Sequence, residues 1–191
     1  MQRRELLKLI ASATGVAMIG MPAFVYGQAP VAHSTSSFSS DDVALMDEIA
    51  ETIIPRTDTP GAKDAEVGAF MAVFVADCYT AEDQARFRAG LADLEKRAGG
   101  RFLALAPAER ARLLGKLDAQ ASAQSRGAWV SPQGASSGGN LHYFTMIKQL
   151  VLFSFFTSRV GATEVLRYEP VPGHYDGDLP YEPGTPAWGT S

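Results

Sequence analysis

The chain has 191 residues, 46% of them apolar and 20% charged, with a formal net charge of −4, which describes a soluble globular protein of one domain. A single cysteine, Cys78, excludes an internal disulfide, a CxxC redox pair, a c-type haem attachment site and an iron–sulfur cluster within the chain. Three scattered histidines, His33, His142 and His174, make no local metal motif, and the acidic balance argues against nucleic acid as a partner, because neutralising phosphates needs clustered Lys and Arg.

The first element in chain order reads as an address. Met1 to Lys8 is MQRRELLK, a basic segment, and Leu9 to Tyr26 is uncharged and moderately apolar, diluted by Ala, Ser, Thr and Gly. A basic n-region stays on the cytoplasmic side, and a weakly inserting h-region is released after cleavage. Pro22 breaks the helix, and Val25-Tyr26-Gly27 suits a cut after Gly27, so residues 1–27 read as a signal peptide. Arg3 and Arg4, followed by Leu6, Leu7 and Lys8, resemble the twin-arginine (Tat) export signal. Such a signal implies export through the Tat translocase to the periplasm of an already folded protein, loaded with a cofactor or attached to a partner that carries one. The competing reading is an uncleaved membrane anchor, since the stretch is about long enough to span at about 1.5 Å per residue. Its low density of Leu, Ile and Phe favours release. Cleavage removes Arg3, Arg4, Lys8 and Glu5 and takes the net charge from −4 to −6.

Residues 28–40, QAPVAHSTSSFSS, are rich in Ser and Thr and read as a linker. The helical domain is expected over residues 41–167. Ser40 is the expected cap of a first helix with Asp41 and Asp42 in its first turn; Val43, Met46, Ile49, Ala50 and Ile53 share a face until Pro55 stops it. Arg56 to Ala65 is a turn-rich loop around Pro60-Gly61. A second helix runs from Glu66 to Tyr79 with Val67, Phe70, Met71, Phe74, Val75 and Cys78 on its apolar face, which makes Cys78 a small buried hydrophobe. An inter-subunit disulfide is the alternative in an oxidising compartment.

Thr80 and Asp83 resemble a capping box for a third helix whose stripe is Phe87, Leu91 and Leu94, ended by Gly99-Gly100. Pro107 starts a fourth, with Leu113, Leu114, Leu117 and Ala121 inward and Glu109 and Arg110 outward. Residues 124–140 form a Ser/Gly-rich connection containing Trp129, and that length indicates a functional or partner-ordered loop. A fifth helix, Leu141 to Thr157, carries the run LVLFSFF, apolar on all sides. Such a helix is central to a bundle or presents one face to another protein. A short helix over Arg159 to Arg167 completes an all-α fold, a small bundle of five to six helices.

Residues 168–191 are a tail with prolines at 170, 172, 180, 183 and 186 and with Tyr168, Tyr175, Tyr181 and Trp188 along it. Pro density excludes a helix or a central strand, and the aromatics distinguish the tail from plain disorder. An extended, Pro-stiffened segment lying over a surface is expected, its own bundle's or a partner's.

The motifs that carry chemistry are weak. Gly134, Ser136 and Gly138 match GxSxG, but a nucleophile elbow needs a strand before it and a helix after it, and this is a low-complexity loop. Asp176 and Asp178 lack the further ligands of a calcium loop. No strand–GxGxxG–helix unit exists for NAD or FAD, so the chain is expected to bind no cofactor itself. His142 and His174 are candidate acids or bases for a small enzyme or a periplasmic ligand-binding protein. Without a paired carboxylate, thiol or metal set, a surface or capping role suits them better.

Taken together, the Tat leader, ETIIPRTDTPGA (Glu51 to Ala62), VADCY (Val75 to Tyr79) and VGATEVLRYEPVPGHYDGDLP (Val160 to Pro180) resemble the gluconate 2-dehydrogenase subunit 3 family. The resemblance implies a small, non-catalytic gamma subunit of a dehydrogenase complex. The large subunit of such a complex is an FAD enzyme of the glucose–methanol–choline (GMC) type, and a cytochrome c subunit carrying haem c often completes it. The small subunit would export the flavin subunit through Arg3 and Arg4 and stay bound to it, and the substrates would be sugars, sugar acids or glycosides. No catalytic, cofactor or metal residue carries over. The partner interface is expected at Thr57, Asp58, Thr59, Pro60 and Gly61 and at Tyr168, Pro172, Gly173, Tyr175 and Gly177; the competing reading is that Gly and Pro there only serve the chain's own turns.

Overall fold

A computed structural model describes residues 38–100, 102–124, 142–171, 173, 177–178, 180 and 182–189. The expected signal peptide with Arg3, Arg4, Leu6, Leu7 and Lys8, the GxSxG match at Gly134, Ser136 and Gly138, and Pro172, His174, Tyr175 and Asp176 of the tail lie outside the described residues. The described residues form an all-α bundle without strands: α1 (Ser40–Ile53), α2 (Val67–Cys78), α3 (Ala81–Arg97), α4 (Pro107–Gln124) and α5 (Tyr143–Thr157), with short 3-10 turns at Ala62–Ala65 and Phe102–Ala104 and a π-helical turn at Gly161–Val165.

Helix boundaries follow from capping chemistry, which corrects the sequence reading by a residue. Ser39, not Ser40, caps α1: its hydroxyl accepts from the Asp42 N–H, and the Asp42 carboxylate accepts in turn from the Ser39 N–H at 2.9 Å. A reciprocal box needs the carboxylate three positions on, and Asp42 has that register with Ser39. Phe38, read as linker, is buried with its ring edge-on to Phe87 at 6.1 Å and beneath the Arg88 guanidinium. At α2 the preceding Glu66 adopts a left-handed conformation and gives no side-chain cap. Asp47 of α1 supplies one instead by accepting from the Gly68 N–H at 2.8 Å. A Cβ on Gly68 would lie 2.4 Å from that carboxylate oxygen, so glycine permits the contact. Thr80 caps α3, and Gly99 and Gly100, both at positive φ, end it.

α5 occupies the centre, packing against α1, α2, α3 and α4. Its apolarity on nearly every side is the consequence, because a helix with four neighbours has little surface left for water. Phe144, Ile147, Leu150, Val151 and Phe155 are buried on it, against Met46 and Ile49 of α1, Met71 and Val75 of α2, Phe87 and Leu94 of α3 and Leu117 of α4 in one core. Arg110, expected outward, turns inward. Its guanidinium pairs with Glu48 of α1 and donates to the carbonyls of Phe102 and Leu103, while Glu48 also takes Lys63. A half-buried carboxylate needs such partners, and removing one member of a buried pair typically costs about 3–5 kcal/mol.

Two residues assigned to the core of α2 are exposed. The buried face is Val67, Gly68, Met71, Ala72 and Val75. Phe70 lies well around the helix from its centre, and Cys78 is exposed at the last turn, where Tyr79 takes the buried place. The expected last helix is a single π-helical turn, in which the Leu166 N–H reaches back five residues to the Gly161 carbonyl.

Gly90 fixes how α3 meets α5. A Cβ there would lie 2.6–2.7 Å from the Cβ and ring of Tyr143, whose hydroxyl donates to Asp93 at 2.7 Å. Alanine is the better helix former by about 1 kcal/mol, but overpacking costs up to about 3 kcal/mol, and displacing Tyr143 forfeits a hydrogen bond to a carboxylate. Gly90→Ala is therefore expected to destabilise the bundle by roughly 2 kcal/mol, read as a lower urea midpoint with an unchanged slope.

Candidate functional site

The loop after α1 is built around Glu51. One carboxylate oxygen accepts from the Arg56 N–H and the other from the Lys63 N–H, each at 2.9 Å, so a single side chain ties both limbs of the loop together. Gly61 passes between them, where a Cβ would lie 2.5 Å from the Arg56 nitrogen and 2.7 Å from the Glu51 carboxylate. Asp64 completes the frame by accepting from the Gly61 N–H and pairing with Arg56. Gly61 is therefore buried and required by the turn itself, whereas Thr57, Asp58 and Thr59 form the exposed tip. There the Thr57 hydroxyl donates to the Asp58 carboxylate at 2.9 Å.

This loop and the root of the tail share one end of the bundle. α5 packs against both the 3-10 turn that closes the loop and the π-helical turn. The Arg56 guanidinium, held above its ordinary range chiefly by its hydrogen bond to Asp64, also feels the charge of Glu164 in the π-helical turn. Beyond that turn the chain leaves at Arg167. Tyr168, Gly173 and Gly177 are exposed, with Gly173 at positive φ, and residues 187–189 return to meet Arg167.

An aromatic face adjoins. Phe153 of α5 packs against Phe70 and Phe74 of α2 at ring separations of 6.4 and 5.4 Å, and Phe70 stacks on Phe74 at 5.7 Å. Phe70 is 44% exposed, and Leu152 and Phe156, one turn apart on α5, are 37% and 39% exposed. Sequence periodicity put Phe70 on the apolar face of α2; the LVLFSFF run, read as central to a bundle or as presenting one face to another protein, is central, with Leu152 and Phe156 left partly exposed. Three large apolar side chains left exposed on two packed helices follow the arrangement of an interaction surface more than that of a solvated one.

His142 belongs to a different cluster. Its Nδ1 accepts from the Phe144 N–H at 3.1 Å, which caps α5, and its ring stacks on Tyr143 at 4.6 Å. Tyr143 and Arg97 both donate to Asp93, at 2.7 and 2.6 Å, and these bonds hold the Asp93 carboxyl below its usual range. Gly90, Asp93, His142 and Tyr143 line a shallow groove with Arg86 and Gln124. The capping role expected for His142 is the one it has. Among the described residues no group of three or more His, Cys, Asp or Glu is placed to hold a metal ion, and no helix is long and apolar enough to cross a membrane.

The cap has a pH signature. Partial burial, and secondarily the nearby Arg97, lower the His142 pKa, while Asp93 opposes them more weakly. The unfolded chain, at about 6.5, then takes up the proton before the folded chain does, so stability falls as pH drops through the window beneath about 6.5 and levels off once folded His142 is protonated too. The urea midpoint is expected to fall between about pH 7.5 and pH 5.5, and His142→Asn, which keeps a cap acceptor that cannot titrate, should lose less over that interval.

No curated protein and no solved structure matches the chain. The family model for gluconate 2-dehydrogenase subunit 3 matches residues 40–173, from the first turn of α1 through the root of the tail. With most of its length matched, including every helix among the described residues and the exposed loop tip, the chain belongs to the gluconate 2-dehydrogenase subunit 3 family and is a subunit of a dehydrogenase complex.

Proposed function

We propose that this chain is the non-catalytic small subunit of a periplasmic or membrane-associated FAD-dependent sugar, sugar-acid or glycoside dehydrogenase, acting as the Tat export escort of the flavin subunit and remaining bound as its stabilising partner. The observation that carries this reading is the exposure of three large apolar side chains, Phe70 of α2 and Leu152 and Phe156 of α5, on two helices whose other faces pack into the core. Exposing them costs each side chain part of a burial worth about 1.5–3 kcal/mol, a cost that a permanent partner surface recovers. The GMC-type flavin subunit is the occupant assigned to that face, FAD is its cofactor, and haem c belongs to a cytochrome subunit where the complex has three. Arg3 and Arg4 supply the export signal for the assembled pair.

Small-enzyme chemistry at His142 is disfavoured by the use of Nδ1 in capping α5, which leaves one ring nitrogen, with no directly bonded carboxylate among the described residues. The test is co-expression of the tagged chain with the flavin-carrying subunit. Capture through the tag should bring flavin absorbance and dehydrogenase activity in a fixed ratio to the small chain, and the mature chain alone should turn over no sugar. Turnover by the isolated chain, or a flavin subunit that is exported and stable without it, would overturn the proposal.

A further inference from the structure

We propose that the groove between α3 and the start of α5 is a binding site for a small neutral polyol, with Asp93 and His142 taking two adjacent hydroxyl groups. The groove has a volume of about 340 Å³ and is lined by Arg86, Gly90 and Asp93 of α3, Gln124 at the end of α4, and His142 and Tyr143. Asp93 and His142 are each held by hydrogen bonds at one atom and left with a free valence at another. Asp93 uses one carboxylate oxygen, Oδ2, for two donors, the Tyr143 hydroxyl at 2.7 Å and Arg97 Nε at 2.6 Å. Its other oxygen, Oδ1, accepts no hydrogen bond among the described residues. His142 accepts from the Phe144 N–H at Nδ1. A neutral imidazole that accepts at Nδ1 carries its proton at Nε2, and that N–H has no acceptor among the described residues. The cap and the stack on Tyr143, with ring centroids 4.6 Å apart, fix the ring's orientation. Asp93 is close enough for its charge to act on that ring.

A fixed acceptor near a fixed N–H donor is the pairing that adjacent hydroxyl groups satisfy, since each hydroxyl both donates and accepts. Ordering of the two side chains is met within the folded chain, so ligand binding does not have to supply it. Charge disfavours an anion: Arg97 is paired with Asp93, Arg86 with Glu82 and Asp83, and the Asp93 carboxylate itself repels negative charge. The guanidinium groups of Arg86 and Arg97 disfavour a cation in the same way. The stacked rings of His142 and Tyr143 add an apolar surface for the C–H face of a sugar-like ring. The site uses none of Phe70, Leu152 and Phe156, so it stands or falls apart from the escort function.

Titration of the ¹⁵N-labelled full chain with methyl α-D-glucopyranoside tests the site through the amide signals of Gly90, Asp93 and Phe144. These signals should shift saturably, with half-saturation at about 10 mM or below, the range suited to so small a ligand. D-Glucuronate, a similar ring bearing a carboxylate, should bind at least about five-fold more weakly. His142→Ser keeps a capping hydroxyl and removes the imidazole donor, so it should weaken glucoside binding at least about five-fold while the chain stays folded. Absence of a saturable shift by about 100 mM glucoside would overturn the proposal, as would glucuronate binding as tightly as the glucoside. Unchanged affinity in a folded His142→Ser chain would overturn it too. Should that variant unfold, the comparison of the two ligands on the unaltered chain still decides.

Discussion

Replacing Arg3 and Arg4 together by lysine should leave the dehydrogenase activity of the whole complex in the cytoplasm. The expected effect is close to all-or-none, because the flavin subunit is proposed to travel on this chain's signal. Charge is preserved by the substitution, so a signal read only as a basic n-region would still work. Loss of export therefore separates recognition of the paired guanidinium groups, planar and five-donor, from simple attraction of a positive segment. The measurement is dehydrogenase activity in periplasmic and cytoplasmic fractions of cells that express both subunits. The cytoplasmic fraction should hold an active, assembled complex, because Arg3 and Arg4 lie outside residues 40–173, the segment the family model matches, and none of the proposed interface residues is altered. Undiminished periplasmic activity would end the escort hypothesis. Activity lost from both fractions would place the arginines in folding rather than in export.

How much of this was legible in the sequence differs by kind of residue. Helix existence was readable because apolar periodicity and punctuation agree: Pro55, Thr80, Gly99-Gly100 and Pro107 stop or start helices by local backbone chemistry alone. The central place of α5 was readable from LVLFSFF, since apolarity on all sides admits few alternatives. Phe70 was misplaced because a stripe at spacings of three and four is wider than the face α2 buries, and only the packing of α1 and α5 decides which edge stays outside. Arg110 was misplaced for a similar reason. Its carboxylate partner Glu48 is sixty-two positions away, and nothing local announces it. In the Thr57–Gly61 loop, expected to meet a partner, the residues divide by role. Gly61 serves Glu51 and the turn, and the exposed Thr57, Asp58 and Thr59 are available to a partner. The return of residues 187–189 to Arg167 could not be read at all, because a bridge between two short extended pieces has no periodicity.

Phe70→Asp combined with Phe156→Asp should separate the small subunit from its flavin partner, weakening the complex at least 100-fold, or about 3 kcal/mol, while the bundle stays folded. Phe70 and Phe156 are each about two-fifths exposed, so a carboxylate at either position reaches water in the free subunit. The intramolecular cost is the ring contacts of Phe70 with Phe74 and Phe153 and of Phe156 with Phe155, at about 0.5–1.5 kcal/mol for an aromatic pair, together with the part of each side chain's burial that the bundle supplies. In the complex both positions would be covered, and a carboxylate buried without a partner is penalised far more than a lost contact. Aromatic residues near the centre of an interface commonly contribute about 2 kcal/mol or more each when truncated. Phe70→Leu with Phe156→Leu provides the control, retaining apolar area without charge and costing the complex less than about ten-fold. Size-exclusion chromatography of the co-expressed pair and the urea midpoint of the small subunit alone give the two readouts. An aspartate double variant that still co-elutes with the flavin subunit at low concentration would move the interface away from the α2–α5 face. One that loses both its fold and its partner would show that the two rings are core residues, and the leucine variant would then decide the matter by binding normally or not.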